Sequence, residues 1–169
     1  GAAFFSAAHP TISDGLQSNL MAAADLTEAT LETALTSIQK ITDDRGILIG
    51  ASAISLHIPV DSWAIADRIM SSPGNTQTSA AQANPNNNAI NATRHMGMIP
   101  EGYFINRRFT DVDSYFIKTD VPNGAKMFIR SPLQTKMEPD FDTGNLRFKA
   151  RERYSFGVSD WRGYFGSAG

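Results

Sequence analysis

One short motif in this sequence could do chemistry, the triplet Asp142-Thr143-Gly144. Aspartic proteases use this triplet, but their mechanism needs two such carboxylates that share a proton. The sequence contains no second copy of the triplet, and Asn145 follows the first. Asp, Asn and Gly also accept the backbone angles that a hairpin turn requires. A turn is therefore favoured at about nine to one, with a dimeric protease built on Asp142 as the alternative.

Other catalytic constellations are missing from the sequence. It contains no cysteine, no Gly-x-Ser-x-Gly elbow and no glycine-rich phosphate loop. Its histidines, His9, His57 and His95, are too far apart in sequence for a local metal-ligand spacing. His57 is expected at the surface, opposite the apolar face of a short strand. We therefore predict no catalytic, cofactor-binding or metal-binding residue, no cofactor, and a protein that is not an enzyme.

The strongest electrostatic feature is a row of four cations, which are Arg147, Lys149, Arg151 and Arg153. Alternating positions share one face of a β-strand, so these side chains lie on the same side. Pairing with an acidic face of a neighbouring subunit or strand is favoured at about two to one over contact with DNA, because no aromatic residue interleaves for base stacking. These four residues are our candidates for a subunit interface.

The same segment alternates with apolar residues, which predicts a long strand, Leu146–Val158. At ~3.3 Å per residue it would span roughly 43 Å, enough to reach between subdomains. We expect its apolar face to pack in the core. That face comprises Leu146, Phe148, Ala150, Tyr154, Phe156 and Val158.

Helical patterns dominate the first half of the chain. Thr27 is predicted to cap a first helix, with Leu26 and Leu31 as a hydrophobic staple and Gly46 at its left-handed end. Strands are predicted at 47–49 and 54–58. Asp61 is expected to cap a second helix that runs through Ser71. The buried face of the first helix should comprise Leu31, Ala34, Leu35, Ile38 and Ile41, and that of the second Ile65, Ala66, Ile69 and Met70.

Residues 71–93 have a different composition, with six Asn, two Pro and few large apolar side chains. Such a segment buries too little surface to offset the entropy of ordering, so we predict a mobile loop. Beyond it, strands are predicted at 103–109 and 112–118 on either side of a turn at Thr110-Asp111. A further strand at 126–130 should follow a turn at 121–124, where Asn-Gly tolerates positive φ.

Composition sets the broad class. The chain has 169 residues with a formal net charge of −2, so no global charge directs it to nucleic acid or membrane. No apolar run approaches the ~20 residues of a membrane-spanning helix. The start lacks Met and the basic flank of a signal peptide, so we expect that upstream residues are missing. Residues 1–100 hold eight Asp and Glu against four Lys and Arg, while 101–169 hold nine against eleven.

Several segments, in their order and spacing, resemble the major head subunits of Mu-like prophages and related tailed-phage major capsid proteins. The resemblance extends over nearly the whole chain. It rests on Ala3-Phe4-Phe5-Ser6-Ala7-Ala8-His9-Pro10, Ser18-Asn19-Leu20, Thr42-Asp43-Asp44-Arg45-Gly46, the strand–Pro–helix unit at 56–70, Met98-Ile99-Pro100-Glu101-Gly102-Tyr103, Asp111-Val112-Asp113-Ser114-Tyr115-Phe116 and Arg151-Glu152-Arg153-Tyr154-Ser155-Phe156-Gly157-Val158-Ser159-Asp160-Trp161-Arg162-Gly163.

The resemblance implies an α+β protein with the Hong Kong 97 (HK97-type) capsid fold, mainly its axial domain together with the C-terminal strand of the peripheral domain. The N-terminal arm, extended loop and spine helix of that fold are absent from this sequence. We expect an irregular connecting segment at 1–25, an axial-type domain at 26–140 that carries the loop 71–93, and a long C-terminal strand and tail at 141–169.

The implied function is that of a structural subunit of an icosahedral phage or prophage head that encloses double-stranded DNA. The implied partners are other copies in pentamers and hexamers, together with packaged DNA, portal, and scaffold or decoration proteins, but no membrane and no small-molecule ligand. The expected location is the virion capsid, assembled in the bacterial cytoplasm. The alternatives are an encapsulin-like compartment shell and a DNA-binding module that uses the Arg147–Arg153 strand face.

Overall fold

The structure is a computed structural model that describes residues 3–12, 15–74 and 90–169. Within these residues the chain forms helices and strands in a mixed order. The helices are α1 (Glu28–Gln39), α2 (Trp63–Ser71) and α3 (Ala92–His95), with 3₁₀ helices at Val60–Ser62 and Trp161–Gly163. The strands are β1 (His9–Pro10), β2 (Leu16–Gln17), β3 (Leu20–Met21), β4 (Ala53–Ile58), β5 (Tyr103–Ile105), β6 (Tyr115–Thr119), β7 (Ala125–Pro139), β8 (Leu146–Val158) and β9 (Tyr164–Ser167).

The first helix begins where the sequence predicts. The Thr27 hydroxyl accepts a hydrogen bond from the backbone N–H of Thr30 at 3.2 Å, and the Thr30 hydroxyl accepts one from the N–H of Thr27 at 2.9 Å. This reciprocal pair satisfies two N–H groups that the first turn leaves without a helical partner. The predicted face is confirmed for Leu31, Ala34, Leu35 and Ile38, which are buried on α1, whereas Ile41 is buried but lies beyond the end of the helix.

The predicted end of α1 at Gly46 is wrong. The helix ends at Gln39, and Gly46 instead takes a positive φ of 84° in a later turn. The Asp43 carboxylate organises that turn by accepting hydrogen bonds from the N–H groups of Ile47 and Arg45, both at 2.8 Å. These bonds hold the pKa of Asp43 below its usual value. Residues 47–49 form no strand, and their side chains are exposed.

Five strands form the central sheet in the order β3-β9-β6-β4-β5. The sequence predicts β5 and β6 on either side of one turn, but β4 lies between them, parallel to β5 and antiparallel to β6. The two strands are shorter than predicted, because the chain must leave the sheet after Ile105 to pass around β4. The core joins this sheet to the helices through Leu56, Ile117, Phe165, Ile38 and Ile69, among other residues.

The second helix starts two residues later than its predicted cap. A 3₁₀ helix at Val60–Ser62 leads into α2, and no side chain caps the helix, so Asp61 does not have the predicted role. Of its predicted inward face, Ala66 and Ile69 are buried, whereas Ile65 is exposed. A 3₁₀ entry tightens the chain after Pro59 and shifts the helical phase.

Most of the predicted mobile loop, residues 75–89, lies outside the described part of the chain. Its two described ends are ordered. Asn91 is buried and caps α3, with its side-chain oxygen accepting from the N–H of Arg94 at 3.0 Å and its amide donating to the Ile69 carbonyl. The prediction of a loop is therefore wrong at Ser71, the last residue of α2, and at 91–93.

A buried asparagine fastens the beginning of the chain to the end of the sheet. The Asn19 Nδ2 lies 2.9 Å from the Phe4 carbonyl oxygen and 3.1 Å from those of Trp161 and Tyr164. Its Oδ1 accepts from the N–H of Ser6 and from His9 Nε2, both at 2.9 Å. The His9 ring in turn stacks on Trp161 with a centroid distance of 4.2 Å. One side chain thus connects three separate segments.

The predicted surface position of His57 is wrong, since the residue is half-buried. Its ring stacks on Phe104 at 5.6 Å, and its Nε2 lies 3.2 Å from the Ser55 hydroxyl. Burial, together with the nearby Lys118 charge, lowers the pKa of His57, while Glu101 opposes this shift. β4 pairs with a strand on each side, and residues on both of its faces are at least partly buried. The His57 side chain is therefore partly enclosed.

We expect the His57 site to make stability pH-dependent. The unfolded chain binds a proton at His57 near pH ~6.5, whereas the folded chain resists protonation. The contribution of His57 to stability should therefore be fully present above pH ~6.5, its pKa in the unfolded chain. It should be lost as the pH falls toward the lower pKa of His57 in the folded chain. When the free energy of unfolding from urea denaturation is plotted against pH between pH 7 and 5, the slope should be shallower for His57→Gln than for the wild type. An unchanged slope in His57→Gln would contradict the assignment.

Candidate assembly surface

The strands β7 and β8 form a two-stranded antiparallel hairpin apart from the central sheet. They have 15 and 13 residues, both beyond the usual strand length of 3–10. Nearly every residue in both strands is exposed. The predicted bounds of Leu146–Val158 are confirmed, but the strand pairs with β7 and projects as part of a hairpin. The domain boundary predicted at 140/141 falls in the turn of this hairpin.

The base of the hairpin is held tightly against the end of the sheet. Asn123 adopts a φ of 68°, which confirms the predicted turn at 121–124, and its carbonyl accepts from the N–H groups of Ser159 and Asp160 at 3.2 and 2.8 Å. A Cβ added to Gly163 would lie 2.6 Å from the Gly124 Cα. Only glycine allows this backbone contact, which directs the hairpin away from the domain.

The Asp142-Thr143-Gly144 triplet lies in the turn at the far end of the hairpin, which confirms the turn interpretation. The N–H of Asp140 donates to the Asn145 carbonyl at 2.8 Å, and Gly144 takes a φ of 67°. The Thr143 hydroxyl donates to the Asp140 carboxylate at 2.8 Å. Asp142 is exposed at this tip. The triplet therefore shapes a turn and does not line a cleft.

One face of the hairpin is mainly apolar, interrupted by Glu152 and Thr135 near its middle. The register places Phe148 opposite Met137, Tyr154 opposite Ile129 and Phe156 opposite Met127. The prediction that this face packs in the core is wrong, since Phe148 is 65% exposed and its neighbours are similarly open. The alternation correctly predicts a two-faced strand, but the central sheet is completed by β9, and nothing in the described part of the chain covers the hairpin.

The opposite face is cationic on β8 and mixed on β7, where Glu138 lies opposite Arg147 and pairs with Lys136. Lys149 faces Lys136, Arg151 faces Gln134 and Arg153 faces Ser131.

Near the tip, Arg147 pairs with Asp140 at 2.6 Å, an exposed guanidinium with a largely covered carboxylate. Within the described residues no carboxylate pairs with Lys149, Arg151 or Arg153. Cross-strand pairing therefore neutralises Arg147 alone of the four predicted cations.

A second charged cluster lies at the junction of the sheet and the 43–47 turn. The buried Arg162 guanidinium pairs with Asp44 at 2.6 Å and Asp160 at 3.5 Å, and its Nε donates to the Thr42 carbonyl at 3.0 Å. It also lies 4.4 Å from the Trp161 ring centroid. These contacts neutralise the Arg162 guanidinium, leave the group of one cation and two carboxylates with a net negative charge, and hold the turn in place. Sequence reasoning missed Arg162 and Asn19, because their partners are distant in sequence.

Two kinds of site are missing from the parts of the chain that the structure describes. There, no three His, Asp or Glu side chains are grouped so that they could hold a metal ion. None of the described helices combines the length and the hydropathy needed to cross a bilayer. The surface features that remain are extended ones, chiefly the two faces of the hairpin.

A mixed domain that projects a long hairpin with one apolar and one cationic face has the construction of a structural subunit that binds its neighbours over extended surfaces. The profile of the phage capsid protein family matches residues 1–165, and the chain belongs to that family. The family-level resemblance seen in the sequence is thereby confirmed.

Among solved structures, the chain is similar to the virus-like particle from Pyrococcus furiosus, with a TM-score of 0.51 and 10% sequence identity. The match covers 88% of this chain and 55% of that protein, so the chain spans about half the length of the particle protein. At this identity the likeness concerns the fold, which is a capsid-like one. No curated protein sequence is significantly similar to this chain.

Proposed function

We propose that this chain is part of the major head subunit of an icosahedral phage or prophage particle of the Mu-like type, built on the Hong Kong 97 capsid fold and enclosing double-stranded DNA. The observation that carries the proposal is the exposed two-faced hairpin of β7 and β8. A shell subunit acts by geometry, through repeated contacts around rotation axes, and needs surfaces of this kind.

The apolar face supports a role in assembly. Isolated two-stranded hairpins are marginally stable in water, and large exposed apolar faces mark protein–protein contacts. A face that presents Phe148, Tyr154 and Phe156 at the surface is costly for a protein that remains a monomer. Because the chain belongs to the phage capsid family, we expect these contacts to form between subunits of a closed shell.

We further propose that Arg147, Lys149, Arg151 and Arg153 form a subunit interface. Three of them have no ion-pair partner in the described part of the chain, and the first half of the sequence carries an acidic excess on which a neighbouring copy could draw. Portal, scaffold and decoration proteins and packaged DNA are further proposed partners, in the virion capsid assembled in the bacterial cytoplasm.

Reversing two of these charges tests the interface. The double variant Arg151→Glu/Arg153→Glu of the full-length protein should melt like the wild type, because exposed charges contribute only ~0–1 kcal/mol to a monomer. Its shell yield, measured by electron microscopy and sedimentation, should fall strongly. Lys40→Glu/Arg68→Glu is the matched control, with the same charge change at exposed sites on other elements.

Two outcomes would overturn the interface assignment. Normal yields of empty shells that fail to retain DNA would assign the cationic face to the genome. Normal yields of both empty and filled particles would leave a solvated face with no role in assembly.

The second candidate is an encapsulin-like compartment shell, which the likeness to the Pyrococcus furiosus particle favours. Both candidates predict closed shells from the full-length product in electron micrographs. They differ in content, since a head should yield nuclease-protected double-stranded DNA and a compartment should yield a cargo protein. The absence of any particle under assembly conditions would contradict both, and a DNA-binding module that uses the Arg147–Arg153 face would then be the remaining candidate.

A further inference from the structure

An aromatic side chain at the tip of the hairpin is fully exposed to solvent. Phe141 is 101% exposed and stands between Asp140 and Asp142. The Asp140 carboxylate is occupied by Arg147 and Thr143, at 2.6 and 2.8 Å. Asp142 has no ion-pair partner among the residues described. The tip therefore presents an apolar ring beside one unneutralised negative charge.

The central domain carries an open apolar groove of about 500 Å³ between the β5–β6 connection and the start of the chain. Its wall is a continuous row of rings, since Phe5 and Phe116 lie 4.8 Å apart and Phe109 meets Phe116 edge to face at 5.3 Å. Leu20 extends the apolar lining, and Arg108 and Asp111 stand among the lining residues. The volume is within the ~300–1,000 Å³ typical of pockets that hold a bound group.

We propose that Phe141 of one copy of this chain inserts into the Phe5–Phe109–Phe116 groove of another copy, with Asp142 facing Arg108. An exposed ring with an adjacent carboxylate complements an aromatic groove that carries an exposed guanidinium, with Asp142 lying toward Arg108 and away from Asp111.

The occupant is a second copy, because no residue in the described part of this chain covers Phe141, which lies at the end of a hairpin whose 13-residue strand spans roughly 43 Å.

This contact joins two different surfaces, so it is heterologous. Contacts of this type repeat from copy to copy and close into rings when the rotation permits. The inference extends the proposed function by naming one contact between subunits, and it rests on that function only in requiring that copies meet.

The sequence offers a clean test, because it contains no cysteine. Full-length Asp142→Cys and Thr110→Cys proteins are mixed under oxidising conditions, and disulfide-linked heterodimers are measured by non-reducing electrophoresis. Thr110 is exposed and lines the groove. The matched control pairs Asp142→Cys with Thr36→Cys, an exposed threonine on α1. The groove pair should crosslink at least about tenfold more than the control, and adding Phe141→Ala to the tip partner should remove most of that excess.

A charge exchange gives a second readout that does not depend on an introduced thiol. Asp142→Arg and Arg108→Asp should each lower association in sedimentation experiments, and the double variant should restore most of it. Equal crosslinking of groove and control pairs, tip-to-tip disulfides in Asp142→Cys alone, or no restoration by the exchange would each overturn the contact.

The two proposals fail separately. Wild-type shells without the preferential crosslink would leave the shell function standing and remove this contact. The crosslink without any shell would retain the contact and remove the function.

Discussion

Replacing Asn19 with alanine is expected to lower the free energy of unfolding by about 3–5 kcal/mol, measured by urea denaturation. The Asn19 side chain is fully buried and bonds to three carbonyl oxygens, one backbone N–H and the His9 ring. Alanine keeps none of these bonds and leaves the partners, most of them partly buried, without the amide. Each polar group stranded in this way costs about 1–3 kcal/mol.

Asn145→Ala is the matched control, because Asn145 is an exposed asparagine at the hairpin tip. It should change stability by less than about 0.5 kcal/mol. A loss below about 1 kcal/mol for Asn19→Ala would show that the start of the chain separates from the sheet at little cost.

Leu56→Ala should lower the free energy of unfolding by about 2–5 kcal/mol, while Phe148→Ala should lower it by less than about 1 kcal/mol in the unassembled protein. Leu56 is fully buried in the central sheet, so its removal leaves a cavity that the packed strands cannot close. Phe148 is the larger side chain, but it is 65% exposed and leaves no cavity. The larger loss of stability is therefore expected for the smaller side chain, which is the reverse of what side-chain size alone predicts.

The same pair of variants should behave differently in assembly. We expect Phe148→Ala to lower shell yield in the full-length protein despite its small effect on melting, because its face is available for contacts. A large loss of monomer stability in Phe148→Ala would contradict an exposed hairpin face and restore the core position that the alternation suggested.

The sequence predicted those features whose determinants lie within a few residues. Thr27 caps α1 through the next turn, and Asn123 and Gly144 take the positive φ values that their turns require. The strand Leu146–Val158 is visible because its alternation is uninterrupted. These are local preferences that need no knowledge of the partner.

The order of the sheet could not be predicted in this way. The position of β4 between β5 and β6 depends on the path of the chain around the domain, and β9 lies in a segment expected to be a tail. The second strand of the hairpin was seen only in part, at 126–130, because register shifts between Ile129 and Gln134 interrupt its alternation.

The sequence predicted the two faces of the candidate assembly surface but not what contacts them. Alternation along β8 predicts an apolar and a cationic face, and both exist. The alternation shows that the two faces differ, but it carries no information about what contacts each of them. The same limit explains Asn19 and Arg162, each of which has two bonds to residues more than 100 positions away.

The placement of β9 also sets the timing of folding during synthesis on the ribosome. This strand is the last in the sequence, yet it lies between β3 and β6 and pairs with both. Until Tyr164–Ser167 leaves the exit tunnel, a nascent chain has two unpaired strand edges and the Asn19 amide lacks its carbonyl partners at Trp161 and Tyr164. The hairpin precedes β9 and is synthesised before the domain that supports it can close. A nascent chain that has not yet reached β9 would therefore carry the hairpin without the completed sheet that supports its base.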